Sequence, residues 1–230
     1  MIVNPTTVSR IALRPVNDNM KSTILGLIEA QKSSIELSAP HRLYMFLGQA
    51  AHESGMWRYD RELWGPTPAQ ARYDTRTDLG NTPQADGDGY RYRGRSGFQI
   101  TGKANYATYT AWAKTVNPNA PDFVENPDLM NTDPWEGLAA VWFWQSHGLN
   151  HIADTGDIHL LTKIINGGYN GLDDRIRCTL AAGLALAGYP DVKAFQKMHE
   201  LTPDGVAGPI TLGVLHKTLA AAPAVNFSIT

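Results

Sequence analysis

The chain has 230 residues, 43% of them hydrophobic and 18% charged, with a net charge of −2 at pH 7; this ordinary globular mixture offers no basic field for nucleic acid or anionic lipid. A single cysteine, Cys178, excludes an internal disulfide framework and fits a reducing compartment. No run of some 18 apolar residues and no basic-then-apolar leader occurs, so neither stable membrane insertion nor a signal peptide is expected. This length suits one well-buried domain with a small appendage.

Asn17 or Asp18 can cap a helix carrying Ile24, Leu25, Leu27 and Ile28, and Ser38 followed by Pro40 starts the next, giving a helical hairpin. In that second helix Leu43, Phe46, Leu47, Ala50 and Ala51 recur at three- and four-residue steps as one buried stripe. Glu53 falls beside Phe46 on the edge of the stripe, where partial desolvation raises a carboxyl pKa toward the range of a general acid. His52 faces away and lacks the second histidine of a zinc-peptidase helix, so it reads as structural. Glu62 lies nine positions on and would point the opposite way on an unbroken helix. The two carboxylates can serve one site only if the chain turns between them, and Gly55 makes that turn plausible. Spacing alone does not establish the pair, since two glutamates nine apart are usually solvated surface.

Beyond Glu62 the helical period is lost. Residues 57–95 hold seven arginines and six acids among turn signals such as Gly65-Pro66 and Asp86-Gly-Asp-Gly89. A long irregular segment in a compact domain is either functional or disordered, and Trp57, Tyr59, Trp64, Tyr73, Tyr90 and Tyr92 argue against disorder. Flat rings beside hydrogen-bonding arginines suit a sugar chain, although some of these rings are expected in the core. In Tyr92–Tyr106, Gln99 and Thr101 alternate with Phe98 and Ile100. An extended segment would put both polar side chains on one face, able to hold a water or a sugar. A tight polar turn before a helix through Tyr109 and Trp112 is the alternative.

Asp133-Pro-Trp-Glu136 reads as a helix start with Asp133 as cap, carrying Trp135, Leu138, Ala139 and Trp142 inward. His147, His151 and His159 share no metal-ligand spacing, and no metal or cofactor is expected. Asp157 caps a helix through Leu160, Leu161, Ile164 and Ile165, ended by Asn166-Gly-Gly168; that exit can expose the Asn166 amide, or it is a plain C-cap. Leu172 to Ala187 is helical, with Arg175 and Arg177 near its start, where an arginine can orient a carboxylate. After Gly188-Tyr-Pro190 a second unit begins, with short helices around Phe195 and Leu215 joined by the turn Thr202-Pro-Asp-Gly205. Residues 191–219 are too few to bury a good core alone, so the preceding helix is expected as a third wall.

Ala51-His-Glu-Ser-Gly55 with Glu62, Gly94-Arg-Ser-Gly-Phe-Gln-Ile-Thr-Gly-Lys-Ala-Asn-Tyr106, and Ile165-Asn-Gly-Gly-Tyr-Asn-Gly-Leu172 occur in the order seen in the family 19 chitinase-like glycoside hydrolases. The resemblance covers about residues 15–187. It implies Glu53 as general acid, Glu62 as general base and Thr101 as a holder of the attacking water. It further implies Gln99, Asn105, Tyr106 and Asn166 as substrate contacts and Arg175 as the arginine that braces the acidic pair. Trp64 is a further candidate sugar contact. Missing cysteines and leader point to the bacteriophage endolysin branch, although the loop between Glu62 and Gly94 is variable, so substrate preference does not transfer. Ala194-Phe-Gln196 with Leu201-Thr-Pro-Asp-Gly-Val-Ala-Gly-Pro-Ile-Thr211 resembles the three-helix peptidoglycan-binding module.

The expectation is an all-α, two-lobed, lysozyme-like catalytic domain over residues 1–188, with at most a small β element near Glu62 and Gln99. A short helical wall-binding module over residues 189–230 follows. The expected reaction is inverting hydrolysis of β-1,4 bonds in bacterial peptidoglycan. The protein would be a monomer made in the host cytoplasm and released to the periplasm with the help of a separate pore-forming lysis protein. A chitinase, or a non-catalytic wall-binding protein, are the alternatives.

Overall fold

The computed structural model describes all of residues 1–230. In chain order the elements are β1 (Ile2–Val3), α1 (Pro5–Ala12), α2 (Asp18–Ala30), α3 (Pro40–Glu53), α4 (Pro68–Tyr73), α5 (Asp88–Arg91), α6 (Lys103–Val116) and α7 (Trp135–Ser146). They continue with α8 (Leu149–Thr155), α9 (Ile158–Asn166), α10 (Leu172–Ala187), α11 (Val192–Met198), α12 (Pro209–Ala220) and β2 (Asn226–Phe227). The fold is all-α, since the only sheet is the two-residue parallel pairing of β1 with β2. No helix is long and apolar enough to cross a membrane. The chain divides into two compact units, one of residues 1–16, 35–52 and 144–230, the other of residues 17–34 and 53–143.

In the first unit, α3 buries Leu43, Phe46 and Leu47 completely, as the stripe predicts. Its Gly48 has no room for a side chain, because a Cβ there would lie 2.3 Å from Thr179 Oγ1 on α10, so the two backbones nearly touch. Phe46 meets the fully buried Trp144 edge-on at 5.5 Å. Further along α10, Gly183 admits Leu215 of α12 in the same way. The C-terminal helix α12 thus rests on α10, which supplies it with apolar surface. Arg42 grips Asp154 with two hydrogen bonds of 2.6 and 2.9 Å.

The second unit is organised on the crossing of α2 and α7. A Cβ on Gly26 would sit 2.2 Å from the Gly137 carbonyl carbon, and one on Gly137 would sit 2.0 Å from Ser22 O. Around this contact Tyr109 stacks on Phe123 at 4.8 Å and packs against Trp142 at 5.7 Å, while Phe98 stacks on Phe143 at 4.9 Å. Asn17 caps α2 by accepting from Met20 N.

Two local expectations fail. The segment after Glu62 is not devoid of helix. Thr67 and Gln70 close a capping box around Pro68 and start α4, and α5 follows at Asp88. Helices of six and four residues are too short to show a period. Asp133 does not cap α7 either: the Trp135 and Glu136 amides both donate to Thr132 O, at 2.8 and 3.2 Å, leaving Asp133 exposed and turning Glu136 into the interior.

Candidate active site

Glu53 is the last residue of α3 and is half-buried. Immediately after it, Gly55, Met56 and Trp57 all adopt left-handed backbone conformations, with φ of 56°, 62° and 58°. For residues other than glycine that conformation costs about 1–2 kcal/mol each, so something must hold the reversal in place. Trp57 is 2% exposed, its indole donates to Thr23 Oγ1 at 2.9 Å, and its carbonyl accepts from Asn17 and Asn19. Ser54 is buried too, its hydroxyl accepting from Trp57 N and its carbonyl from Arg58 N and Tyr59 N. The turn expected at Gly55 is therefore present, and it is pinned by the tryptophan two residues on.

The chain then runs into a small antiparallel arrangement in which Arg61 bridges Arg95 and Arg95 bridges Ile100. Glu62 N donates to Gly94 O at 3.0 Å, so Glu62 is mounted on this ledge. Its carboxylate is partly accessible and accepts from Gln70 Nε2 at 2.6 Å. Gln70 is 3% exposed, and its amide also donates to Trp64 O and accepts from Thr67 N. One buried amide thus sets the carboxylate of Glu62, the backbone beneath Trp64 and the start of α4. Sequence reading passed over Gln70, although the Thr67-Pro-Ala-Gln70 pattern was a signal for it.

Gln99 and Thr101 lie in a tight polar turn before α6, the second of the two backbones open to the sequence, and not in an extended strand. Arg95 and Ile100 exchange hydrogen bonds of 3.2 and 2.7 Å around a loop in which Ser96 and Gln99 have φ of 68° and 52°. Phe98 and Ile100 still point inward, Gln99 and Thr101 remain half-exposed, and so the polar alternation survives for a different backbone reason. Thr101 Oγ1 donates to Gln99 O at 2.9 Å, and the exposed Asn105, in the first turn of α6, donates to Thr101 O at 2.8 Å, which gathers the three polar residues together. Gly94 ties this loop to Glu62, because a Cβ there would lie 2.4 Å from Gln99 Oε1.

Tyr106 is fully buried, contrary to its expected role as a substrate contact. Its hydroxyl donates to Arg93 O at 2.7 Å and accepts from Arg95, and burial pushes its pKa up to about 12. It supports the loop from beneath. Arg95, 1% exposed, is also bonded to Asp128, and that hydrogen bond holds Asp128 below the usual carboxylate range. Trp64, by contrast, is 79% exposed and presents its ring to solvent.

The first unit carries the two remaining candidates. Asn166 is exposed at the end of α9, followed by Gly167 with φ of 73°. Arg175 is 1% exposed and donates to Gln49 Oε1 at 2.7 Å and to Asn170 O, which makes it a positioning residue and not a direct sugar contact. His52 reads as the sequence suggests: its Nδ1 meets Asp174 at 2.7 Å and its ring fills the space above Gly171.

No protein-family model matches the chain. A Haemophilus influenzae protein described as a glycosyl hydrolase family 19 domain-containing protein is 33% identical over 159 residues, covering 58% of this chain and 74% of the relative. The chain belongs to glycosyl hydrolase family 19. Solved structures share the fold of this glycoside hydrolase. Chitinase C from Streptomyces griseus superimposes with a TM-score of 0.58 at 19% identity, over 80% of this chain and 92% of that one. A bacterial family 19 chitinase, described as differing from plant enzymes, gives 0.56 at 16% identity, over 79% and 95%. The protein is thus a glycosidase with an all-α, lysozyme-like fold.

One acid in the second unit was not foreseen as special. Glu136 is 8% exposed on α7, and burial, reinforced by the nearby charges of Asp60 and Asp133 against that of Arg61, pushes its pKa up to about 8. Asp60 is tied to Arg61 at 2.7 Å and accepts from Asn131, so its charge is held in place.

Proposed function

We propose that this family 19 enzyme hydrolyses β-1,4 bonds between the amino sugars of bacterial peptidoglycan, as a bacteriophage endolysin. Glu53 protonates the leaving oxygen. Glu62 removes a proton from the attacking water, and Thr101 and Gln99 hold that water for it. The carrying observation is the mounting of Glu62, a partly accessible carboxylate oriented by a buried amide and set on the same ledge as Gln99. A carboxylate so placed is free to work on water, which suits single displacement with inversion. Trp64 and Asn105, both exposed, are offered to the sugar chain, and the exposed Asn166 is a further candidate sugar contact. Arg175 acts through Gln49, which it holds on α3, the helix that ends at Glu53.

The choice of peptidoglycan is supported by residues 189–230, proposed as a wall-binding module. Their turn is built around Gln196, 2% exposed, whose amide donates to Asp204, Val206 O and Thr211 and accepts from Gly205 N. The signature Asp-Gly-x-x-Gly-Pro-x-Thr therefore has a structural purpose, the ordering of the chain ahead of α12. On this reading the protein is a monomer that leaves the host cytoplasm with the help of a separate pore-forming protein and acts in the periplasm. The second reading is a chitinase, favoured by the likeness to chitinase C.

Side-by-side digestion of purified peptidoglycan and colloidal chitin, with mass spectrometry of the products and NMR of the first-formed anomer, tests the assignment. Rapid release of muropeptides with an initial α-anomer is expected. Faster chitin turnover would transfer the enzyme to the second reading, and an initial β-anomer would replace inversion by a covalent intermediate.

A further inference from the structure

A groove of about 620 Å³ runs between α1 and the C-terminal half of α10 in the first unit. Ile11, Ala181, Leu184 and Ala185 line it, and Arg10 and Arg177 border it. Its size falls in the range of small-molecule and peptide sites, and nothing in the hydrolysis described above uses it.

Three observations give the groove a chemical preference. Arg10 is exposed in the last turn of α1 and forms no ion pair. Arg177, 57% exposed, bonds Asp174 through Nε and Nη2, leaving Nη1 unengaged. Leu13, also on the groove, is 87% exposed and left-handed, with φ of 52°, at a helix end where glycine is the favoured residue. An apolar side chain presented to water at a conformational cost is the kind of outlier that marks a contact surface. Two arginines over an aliphatic floor select a ligand with carboxylates and short alkyl groups, because guanidinium pairs with carboxylate through directed hydrogen bonds.

We propose that this groove binds the carboxylate-bearing stem peptide of the wall polymer, giving the enzyme a foothold on peptide separate from its hold on sugar. The proposal rests on the peptidoglycan reading for the identity of the acidic peptide. Such a foothold would keep the enzyme on cross-linked wall between cuts, because two weak contacts on one polymer raise the effective concentration of each.

The full-length protein, isotope-labelled, is titrated with free L-Ala-γ-D-Glu-meso-diaminopimelate and with the same tripeptide amidated at its carboxylates. Saturable NMR shifts at Leu13, Ala181 and Ala185 with the free acid are expected, weakened about tenfold in Arg10→Ala and absent for the amide. Leu13→Gly, which suits the backbone, is a second variant that should fold and bind more weakly. Shifts elsewhere only, or equal binding of the amide, would overturn the proposal. Because the ligand contains no sugar, the result separates from the substrate assignment. An enzyme that cuts peptidoglycan yet ignores the tripeptide lacks this site, whereas one that binds the tripeptide here yet spares peptidoglycan has the site and a different substrate.

Discussion

Two glutamates of the second unit, Glu62 and Glu136, show how the same side chain is given opposite tasks by its surroundings. Glu62 sits on an irregular ledge, reaches solvent and accepts a hydrogen bond from Gln70. Glu136 sits on a regular helix and is 8% exposed, with Asp60 and Asp133 nearby, so it keeps its proton up to about pH 8. A perturbed carboxyl pKa is often taken as the mark of an active site. Here it marks a helix packed close to its neighbour, for which Gly26 and Gly137 supply the room. What distinguishes the proposed base is a partner that orients it together with access to water.

The sharpest way to break this comparison is to make the two glutamates isosteric amides in turn. Glu62→Gln is expected to lower kcat by roughly 10²–10⁴, the usual worth of a general base, without loss of the fold, and Glu136→Gln to stay within a few-fold of the parent. Steady-state turnover on a soluble chitooligosaccharide, with circular dichroism as a check on folding, measures both. The reverse outcome would move the chemistry to α7. Glu53→Gln belongs with Glu62→Gln, and near-normal turnover by that folded variant would remove it from the mechanism.

Glu136 makes its own prediction for stability. Between about pH 4.5 and 8 the folded chain holds a proton that the unfolded chain gives up, so stability falls as pH rises through that window and levels off above it. At about 1.4 kcal/mol per tenfold change in proton affinity, the loss is on the order of 3–5 kcal/mol. Urea unfolding at pH 5 and pH 9 should show Glu136→Gln near the parent at the lower pH and clearly more stable at the higher. A constant difference at both would mean that the carboxyl is hydrated in the folded state.

The α2 and α7 crossing links this to packing. Gly26→Ala would place a methyl against the Gly137 backbone and is expected to cost about 1–3 kcal/mol. By lifting α7 it would also hydrate Glu136 and flatten the pH dependence. Full pH sensitivity in this variant would assign the raised proton affinity to Asp60 and Asp133 instead of to burial.

What could be read in advance divides along the same line. α2, α3 and α9 announced themselves through helix-start signals and periodic apolar residues, because each is long enough to repeat its pattern and to bury a stripe. The turn after Glu53 was readable from Gly55, but not its extension through Met56 and Trp57, which depends on the distant partners Thr23, Asn17 and Asn19. The pairing of β1 with β2 joins the two ends of the chain through two residues each, too short for any alternation to show. For Gln99 and Thr101 the sequence left two backbones open, an extended segment and a tight polar turn before a helix, and the structure has the turn, since either one alternates polar with apolar side chains. Tyr106 was misjudged because nothing local reveals that Arg95 would be buried beside it.

The smallest expected effect tests whether the setting of Glu62 matters as much as the glutamate itself. Gln70 donates to Glu62 at 2.6 Å and to Trp64 O at 2.9 Å from a buried position, so Gln70→Met keeps much of the volume and removes both bonds along with the one accepted from Thr67 N. A hydrogen bond to a charged group is worth about 1.5–3 kcal/mol. Part of that supports the fold, and the remainder should appear as a five- to tenfold fall in kcat with KM little changed, because an unheld carboxylate spends less time facing its water. A change confined to KM would make Gln70 a support for Trp64 and the sugar chain. No change in either constant, with the variant folded, would show that the ledge from Gly94 is sufficient to aim Glu62.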